Sequence, residues 1–109
     1  MSKNLIILIG NVGAEIDIKT FDDGNVIGRL SLATNETFTN TTGDKVTKTQ
    51  WHTVIFRNKQ AEIIEKYVKK GDQLSVDGKV EYRKYTDTNG NERYATEIIA
   101  REFTFLNNK

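Results

Sequence analysis

The sequence predicts an all-β domain in which five strands close into a small barrel, with one short helix between strands 3 and 4. Three observations predict it. Apolar and polar residues alternate with period two along most of the chain, one stretch alone carries helical periodicity, and glycine-bearing polar clusters separate the runs. The first strand is the apolar run Leu5 to Ile9, ending at Gly10-Asn11; it is short and rich in isoleucine, as suits a strand covered on both faces. "DDGN" (22–25) is a turn, after which "VIGRLSLATNETF" alternates, Leu30 and Leu32 pointing one way and Arg29, Ser31 and Ala33 the other. The polar loop "TNTTGD" (39–44) returns the chain into "KTQWHTVIF" (48–56), so the second and third strands form a long hairpin.

The helical stretch comes next. Asn58 is placed to cap it, Ala61, Ile64 and Val68 form its apolar stripe, and Gly71 ends it. Glu62–Lys66 and Glu65–Lys69 are i,i+4 pairs in the favourable order, and Lys69 and Lys70 occupy a last turn where the helix dipole favours cations. "QLSVDGKVEYRKY" (73–85) alternates, with Leu74, Val76, Val80 and Tyr82 on one face and Ser75, Asp77, Lys79, Glu81, Arg83 and Tyr85 on the other; Gly78 marks a bulge or sharp bend. Asn89-Gly90 is a hairpin signal, and a last strand runs from about Tyr94 to Leu106. Three strands, a helix and two strands is the order of the OB fold, a partly open Greek-key barrel that often binds oligonucleotides or oligosaccharides. With 109 residues, no internal repeat and no linker, 1–109 reads as a single domain.

Composition excludes several kinds of chemistry. Sixteen Lys and Arg stand against 15 Asp and Glu, a net charge of +1, so any polyanion must be met by a local concentration of positive charge. There is no cysteine and a single histidine, so neither a disulfide framework nor a Cys/His metal cage is expected, and no cofactor or metal is assigned. "LIILI" is too short for a membrane helix and no cleavage signal follows it, so no membrane partner is expected and the expected location is the cytoplasm of a cell without organelles, or an organelle matrix after processing. His52 has no nameable nucleophilic or orienting partner, and "DGKVE" (77–81) fits the alternating charge of a solvated strand, so the chain reads as no enzyme.

Binding of single-stranded nucleic acid needs cations along a backbone track and flat rings on which bases stack. Trp51 shares a strand face with Thr49, Thr53, Ile55 and Arg57, opposite Gln50, His52, Val54 and Phe56. Parity alone leaves two places for its indole, the core beside Ile55 or a groove beside Arg57. Tyr85 shares its face with Lys79 and Arg83, and Phe38 closes the second strand with the parity of the core residues Leu30 and Leu32.

These residues resemble the bacterial-type single-stranded DNA-binding proteins, a homotetrameric OB-fold family, over about residues 4–105. "NLIILIGNVG", "LSLATNETF", "TQWHTVIF" and the long stretch "NKQAEIIEKYVKKGDQLSVDGKVEYRKYTDTNGNERYATEI" carry the resemblance, the last with Lys-Gly, Val-x-Gly, Arg-Lys-aromatic-Thr-Asp and Arg-Tyr-x-Thr-Glu in family order. The resemblance implies that Trp51, Tyr85 and Phe38 stack on bases, and that Lys59, Lys70, Lys84, Arg83 and Lys69 contact phosphates. Arg57 stands where family members often carry a further aromatic; a cation there implies weaker stacking and a larger dependence on salt. It also implies a tetramer built as a dimer of dimers. The run Leu5, Ile7 and Ile9 has more apolar surface than one barrel interior can cover, and His52 falls near the family's subunit contacts.

The function expected is stoichiometric: sequence-independent binding and protection of single-stranded DNA during replication, recombination and repair, in a bacterial cytoplasm or nucleoid, or encoded by a phage or mobile element. Positive charge is expected to gather in the groove, with Asp22, Asp23 and Glu36 outside it. Cellular members carry an acidic C-terminal tip that recruits partners; this sequence stops at "FTFLNNK", so tail-mediated partners are not expected. Two rivals share the fold: a dimeric primosome-type accessory protein, and an OB module that only binds protein, whose Trp51 would not be quenched by oligo(dT).

Overall fold

In the computed structural model, which describes residues 1–13 and 16–106, the chain forms six strands and one helix. These are β1 (Ile6–Val12), β2 (Asp17–Thr20), β3 (Val26–Thr39), β4 (Lys45–Arg57), α1 (Lys59–Tyr67), β5 (Gln73–Thr86) and β6 (Glu92–Phe105). The sheet runs β1-β5-β6-β4-β3-β2, and β1 pairs with β3 as well, through Asn11↔Ala33 and Val12↔Leu32. Strands β1, β5, β6, β4 and β3 therefore close on one another, the five-stranded barrel the sequence predicts. All neighbours are antiparallel except β4 and β6, which run parallel at Val54↔Ile98 and Ile55↔Ile99.

One strand was not anticipated. β2 continues the line of β1 along β3, with the register slipped by two residues: Val12 faces Leu32, but Asp17 faces Arg29. Its sequence, "DIKT", has one apolar residue in four, too little alternation to announce a strand.

Alternation fills the barrel. Leu30 and Leu32 from β3, Val54 and Phe56 from β4, and Leu74 and Val76 from β5 are almost wholly buried, with Ala61 and Ile64 of α1 closing one end. Phe56 meets Phe103 edge to face, ring centroids 5.2 Å apart, a geometry that favours aromatic pairs. The register shifts at Gly78, where an irregularity is expected, but the bulged strand is the partner: Asp77 pairs with Glu102 and Gly78 with Ala100, so Arg101 of β6 is the extra residue. A side chain at Gly78 would collide with the Ile99 carbonyl, so the strands approach there only because position 78 has none. Gln60 Nε2 donates to the carbonyl of Arg101, tying the helix to the bulge.

The helix begins differently from the expectation. Asn58 occupies the capping position, yet it makes no side-chain cap. Instead its N–H donates to the Val26 carbonyl at 2.7 Å and its Oδ1 accepts the Val26 N–H at 3.0 Å, extending the β3–β4 ladder by one residue. That grip holds Asn58 at φ 53°, ψ −117°, a conformation costly for any residue with a Cβ. α1 stops at Tyr67, so Lys69 and Lys70 lie in the turn beyond it rather than in its last turn.

Three hairpin turns share one hydrogen-bond frame. In Phe21–Asn25, Asn40–Asp44 and Asp87–Asn91 the first N–H donates to the fifth carbonyl and the fourth N–H to the first carbonyl. The fourth residue of each is a glycine at positive φ. The hairpins β3–β4 and β5–β6 extend beyond the barrel, so residues with interior parity become exposed toward their tips.

Candidate nucleic-acid interface

Because Val54 and Phe56 point into the barrel, alternation turns Trp51, Thr53, Ile55 and Arg57 outward. The registers carry this outer face across the sheet. Trp51 faces Ala33, which faces Asn11 of β1; Ile55 faces Arg29 on one side and Ile99 on the other. Trp51 is 62% exposed, while Ile55 beside it is buried. The indole lies over small residues: a Cβ placed on Gly13 would come within 2.5 Å of its Cζ3 and 3.4 Å of the Ser31 Cβ. An edge resting on glycine leaves the ring standing on the surface rather than sunk into the core beside Ile55.

Beyond Trp51 the face holds an ion cluster that sequence reading missed. Glu97, the one buried charged residue among those described, accepts from Arg29 Nη2 at 3.2 Å and Arg83 Nε at 3.3 Å through its Oε2. The carboxylate holds guanidinium groups from β3 and β5 toward β6. Arg83 in turn lies over the Tyr85 ring, 5.7 Å from its centroid, and Tyr85 is 42% exposed. The only sequence signal for this cluster is parity: Arg29, Arg83 and Glu97 all fall on outward positions of their strands.

Other residues sit apart. The β3–β4 register is unbroken from Ile27↔Arg57 to Thr39↔Lys45, so Phe38 keeps the parity of Leu30 and Leu32 and lies on the ribbon face opposite Trp51. It is nevertheless 44% exposed, because the ribbon has left the barrel by that point. A strand touching both rings must cross the ribbon edge or follow its twist. Lys84 pairs across to Tyr94, on the face opposite Tyr85, and its Nζ is 2.9 Å from Glu92 Oε1. The turn with Lys69 and Lys70 is fastened to β1: Gly71 N–H donates to the Val12 carbonyl, and Asn11 Nδ2 donates to the Gly71 carbonyl. It thus borders the Asn11–Ala33–Trp51 row. Lys59 opens α1 beside Asn58, two residues from Arg57.

Arg57 lines an open groove of about 480 Å³ with Phe21, Asp23, Asn25, Ile27 and Asn58. Asp23 borders this hollow beside Arg57. Its carboxylate is engaged locally, accepting from the backbone N–H of Asn25 at 3.0 Å and from Asn25 Nδ2 at 2.8 Å.

Residues expected at subunit contacts fall in two places. Leu5, Ile7 and Ile9 are exposed, whereas Ile6 and Leu8 pack against the core. From Ile6 to Gly10, β1 pairs with β5 on one side; among the described residues nothing pairs with its other edge there. His52 points to the interior side at the barrel rim, opposite Leu32, with Nε2 2.9 Å from Thr34 Oγ1. Among the described residues no cluster of His, Cys, Asp or Glu could hold a metal ion, and no helix is long and apolar enough to cross a membrane.

A closed barrel of this order, with exposed rings and guanidinium groups along one outer face, defines an OB-fold module of the oligonucleotide-binding kind. The chain belongs to the single-strand binding protein family, whose family model matches residues 3–106. It is 44% identical over 109 residues to single-stranded DNA-binding protein 1 of Xylella fastidiosa, covering 99% of this chain and 80% of that one. It is 43% identical over 104 residues to the single-stranded DNA-binding protein of Rhizobium meliloti, covering 94% of this chain but only 60% of the Rhizobium protein. Among solved structures, the Plasmodium falciparum SSB in complex with ssDNA superposes with a TM-score of 0.90 at 35% identity, covering 98% of this chain and 97% of that one. A deletion mutant of the single-stranded DNA-binding protein from Thermus aquaticus superposes with a TM-score of 0.82 at 27% identity, over 96% of this chain and 51% of that one.

Proposed function

We propose that this chain, as one domain over residues 1–109, binds single-stranded DNA without sequence preference, shielding it during replication, recombination and repair. The observation that carries the reading is Trp51: a large ring, 62% exposed, on a sheet face that also presents Arg29, Arg57 and Arg83. An isolated exposed indole would waste apolar area in water; beside guanidinium groups it offers what an unpaired nucleotide needs, a stacking plane and a phosphate partner. Family membership and the names of its relatives support the same reading.

In this function Trp51, Tyr85 and Phe38 stack on bases, and Arg57, Lys59, Lys69, Lys70, Arg83 and Lys84 neutralise phosphates. Lys70 and Lys69 have support from the fastening of their turn beside the Trp51 row. Lys84 has the least, since it lies opposite Tyr85 and is paired with Glu92. The work is stoichiometric rather than catalytic, takes place in the cytoplasm and needs no cofactor. Released counterions supply much of the affinity.

The assembly proposed is a homotetramer, a dimer of dimers whose dimers pair through Leu5 and, in β1, Ile7 and Ile9, with His52 near a subunit contact. A strand edge that no other strand pairs among the described residues, beside an exposed isoleucine face, supports it. Titration with oligo(dT), followed by Trp51 emission at several salt concentrations, tests the central reading. Saturable quenching that weakens as salt rises is the expected result; unchanged emission at any length of oligo(dT) would leave a protein-binding OB module as the better account.

A further inference from the structure

The three hairpin turns have one frame but differ at their first residue. In Asn40–Asp44 and Asp87–Asn91 that residue closes the loop with its side chain: Oδ1 of Asn40 accepts from the N–H groups of Thr42 and Asp44, and Oδ1 of Asp87 from those of Asn89 and Asn91. In the turn between β2 and β3 the same position is Phe21, whose side chain accepts nothing. Asp23 covers only part of the deficit, through Asn25. Turn chemistry thus gives no reason for an aromatic residue at 21, and neither does the core, since the ring is 42% exposed.

Its direction is informative. The bond from Phe21 N–H to the Asn25 carbonyl continues the ladder Asp17↔Arg29, Lys19↔Ile27, so Lys19 and Phe21 project on the same side as Ile27 and Arg29. Ile27 faces Arg57 and Arg29 faces Ile55 across β4. Phe21 therefore stands on the outer face that carries Trp51. A groove of about 480 Å³ opens between Phe21 and Arg57 over Ile27, within the size range of sites that take small ligands. A smaller hollow of about 200 Å³, lined by Phe21, Lys19, Ile27, Arg29 and Asp17, extends along the same face. Lys19 Nζ stands 5.3 Å from the centroid of the Phe21 ring.

We propose that the groove between Phe21 and Arg57 is a further base-binding subsite, in which a base of the strand that passes Trp51 stacks on the Phe21 ring. It rests on the single-stranded DNA reading above. The occupant is a base rather than a phosphate: the floor is Ile27, the rim carries the amides of Asn25 and Asn58, and the carboxylate of Asp23 would repel a phosphate placed there. Phosphates on either side of the base meet Arg57 and Lys19.

The test moves the only indole into the groove. Phe21→Trp is made in a Trp51→Phe background, which keeps a ring at position 51, and is titrated with oligo(dT) beside the unsubstituted protein. The indole at position 21 is quenched saturably if the groove holds a base. In the otherwise unsubstituted chain, Phe21→Ala and Phe21→Leu both weaken oligo(dT) binding by roughly 5- to 150-fold, the range of one lost stacking contact, with melting temperatures close to the parent's. Phe21→Leu keeps apolar volume but has no π-face, so its loss separates stacking from packing. The subsite is overturned if the unsubstituted protein is quenched while the indole at position 21 is not, or if Phe21→Leu binds like the parent. Absence of quenching in the unsubstituted protein overturns the single-stranded DNA reading itself, and this subsite with it.

Discussion

The indole of Trp51 rests against the bare Cα of Gly13, where a methyl group would fall 2.5 Å from Cζ3 and 3.1 Å from Cη2. Two chain segments thus set the pose of one ring: β4 supplies it, and the residue just after β1 leaves room for it. Gly13→Ala pushes the far end of an exposed side chain, which is free to rotate, so stability should change by less than about 1 kcal/mol. The pose should not survive. A shifted Trp51 emission maximum and oligo(dT) affinity reduced about 5-fold or more, the low end of a stacking contact, are expected from fluorescence titration. Parent-like emission and affinity would mean that the ring pose at Gly13 is incidental.

Glu97 is the acid inside the cationic face, and its removal should separate stability from binding. Glu97→Gln loses charge-assisted hydrogen bonds to Arg29 and Arg83. Both arginines are about half exposed, so the cost should lie near the low end for such bonds, about 1 kcal/mol, visible as a melting point lower by about 4 °C. Binding should move the other way. Two guanidinium groups no longer share a carboxylate and become available to phosphates, so oligo(dT) affinity at low salt should rise several-fold. Equal losses in stability and affinity would mean that Glu97 positions the arginines for DNA rather than competing with it.

Arg57 can be tested through salt alone. It borders the Phe21 groove and is exposed, and no ion pair holds it among the described residues. If it meets one phosphate, Arg57→Ala should reduce the slope of log affinity against log salt by about 0.7, the value for one contact on a single strand. An unchanged slope with a uniform loss of affinity would instead assign Arg57 a stacking role on a base.

The barrel was legible because its signals are local. Leu30/Leu32, Val54/Phe56 and Leu74/Val76 alternate in sequence and line one interior, and the turn residues lie where glycine permits positive φ. What escaped depends on relations between strands. Glu97 meets Arg29 across 68 residues, and no pattern within either strand announces the pair. β2 exists because β3 offers it an edge, not because "DIKT" favours extension. Asn58 reads as a cap in sequence, but the Val26 backbone competes for its side chain and wins. Parity did place Phe38 with Leu30 and Leu32; it could not say that the ribbon leaves the barrel before reaching it.

Acid should loosen the Asp87–Asn91 hairpin tip, and only once pH falls below the ordinary carboxylate value. The Asp87 carboxyl is held below its ordinary value of 3.8, first by the N–H of Asn91 and then by the Arg93 guanidinium and the N–H of Asn89, with desolvation opposing. A depressed folded value stabilises the charged form, so this support is fully present above about 3.8 and is lost as pH falls through the lower folded value. Tyr85 is two residues away, opposite Arg93. The amide resonances of Asn89 and Asn91 should titrate with a midpoint below 3.8 and stay flat in Asp87→Asn. A midpoint at or above 3.8 would contradict the hydrogen bonding described.

The β1 surface makes the last prediction, and it concerns assembly rather than DNA contact. Leu5, Ile7 and Ile9 are exposed on the face away from the core, while Ile6 and Leu8 face it. A strand whose edge is unpaired among the described residues and whose outer face is apolar invites a second copy, which would pair the edge and cover the isoleucines together. Ile7→Asp combined with Ile9→Asp places two charges where a partner strand would lie, leaves the interior untouched and should keep the barrel folded. Light scattering should fall from the tetramer mass to no more than twice the 12.4 kDa of one chain, with circular dichroism unchanged. Oligo(dT) should still quench Trp51 in the dissociated form, because that ring is carried by β4 and rests on Gly13 of its own chain. A double variant that keeps its full assembly mass would show that the chains meet through another surface.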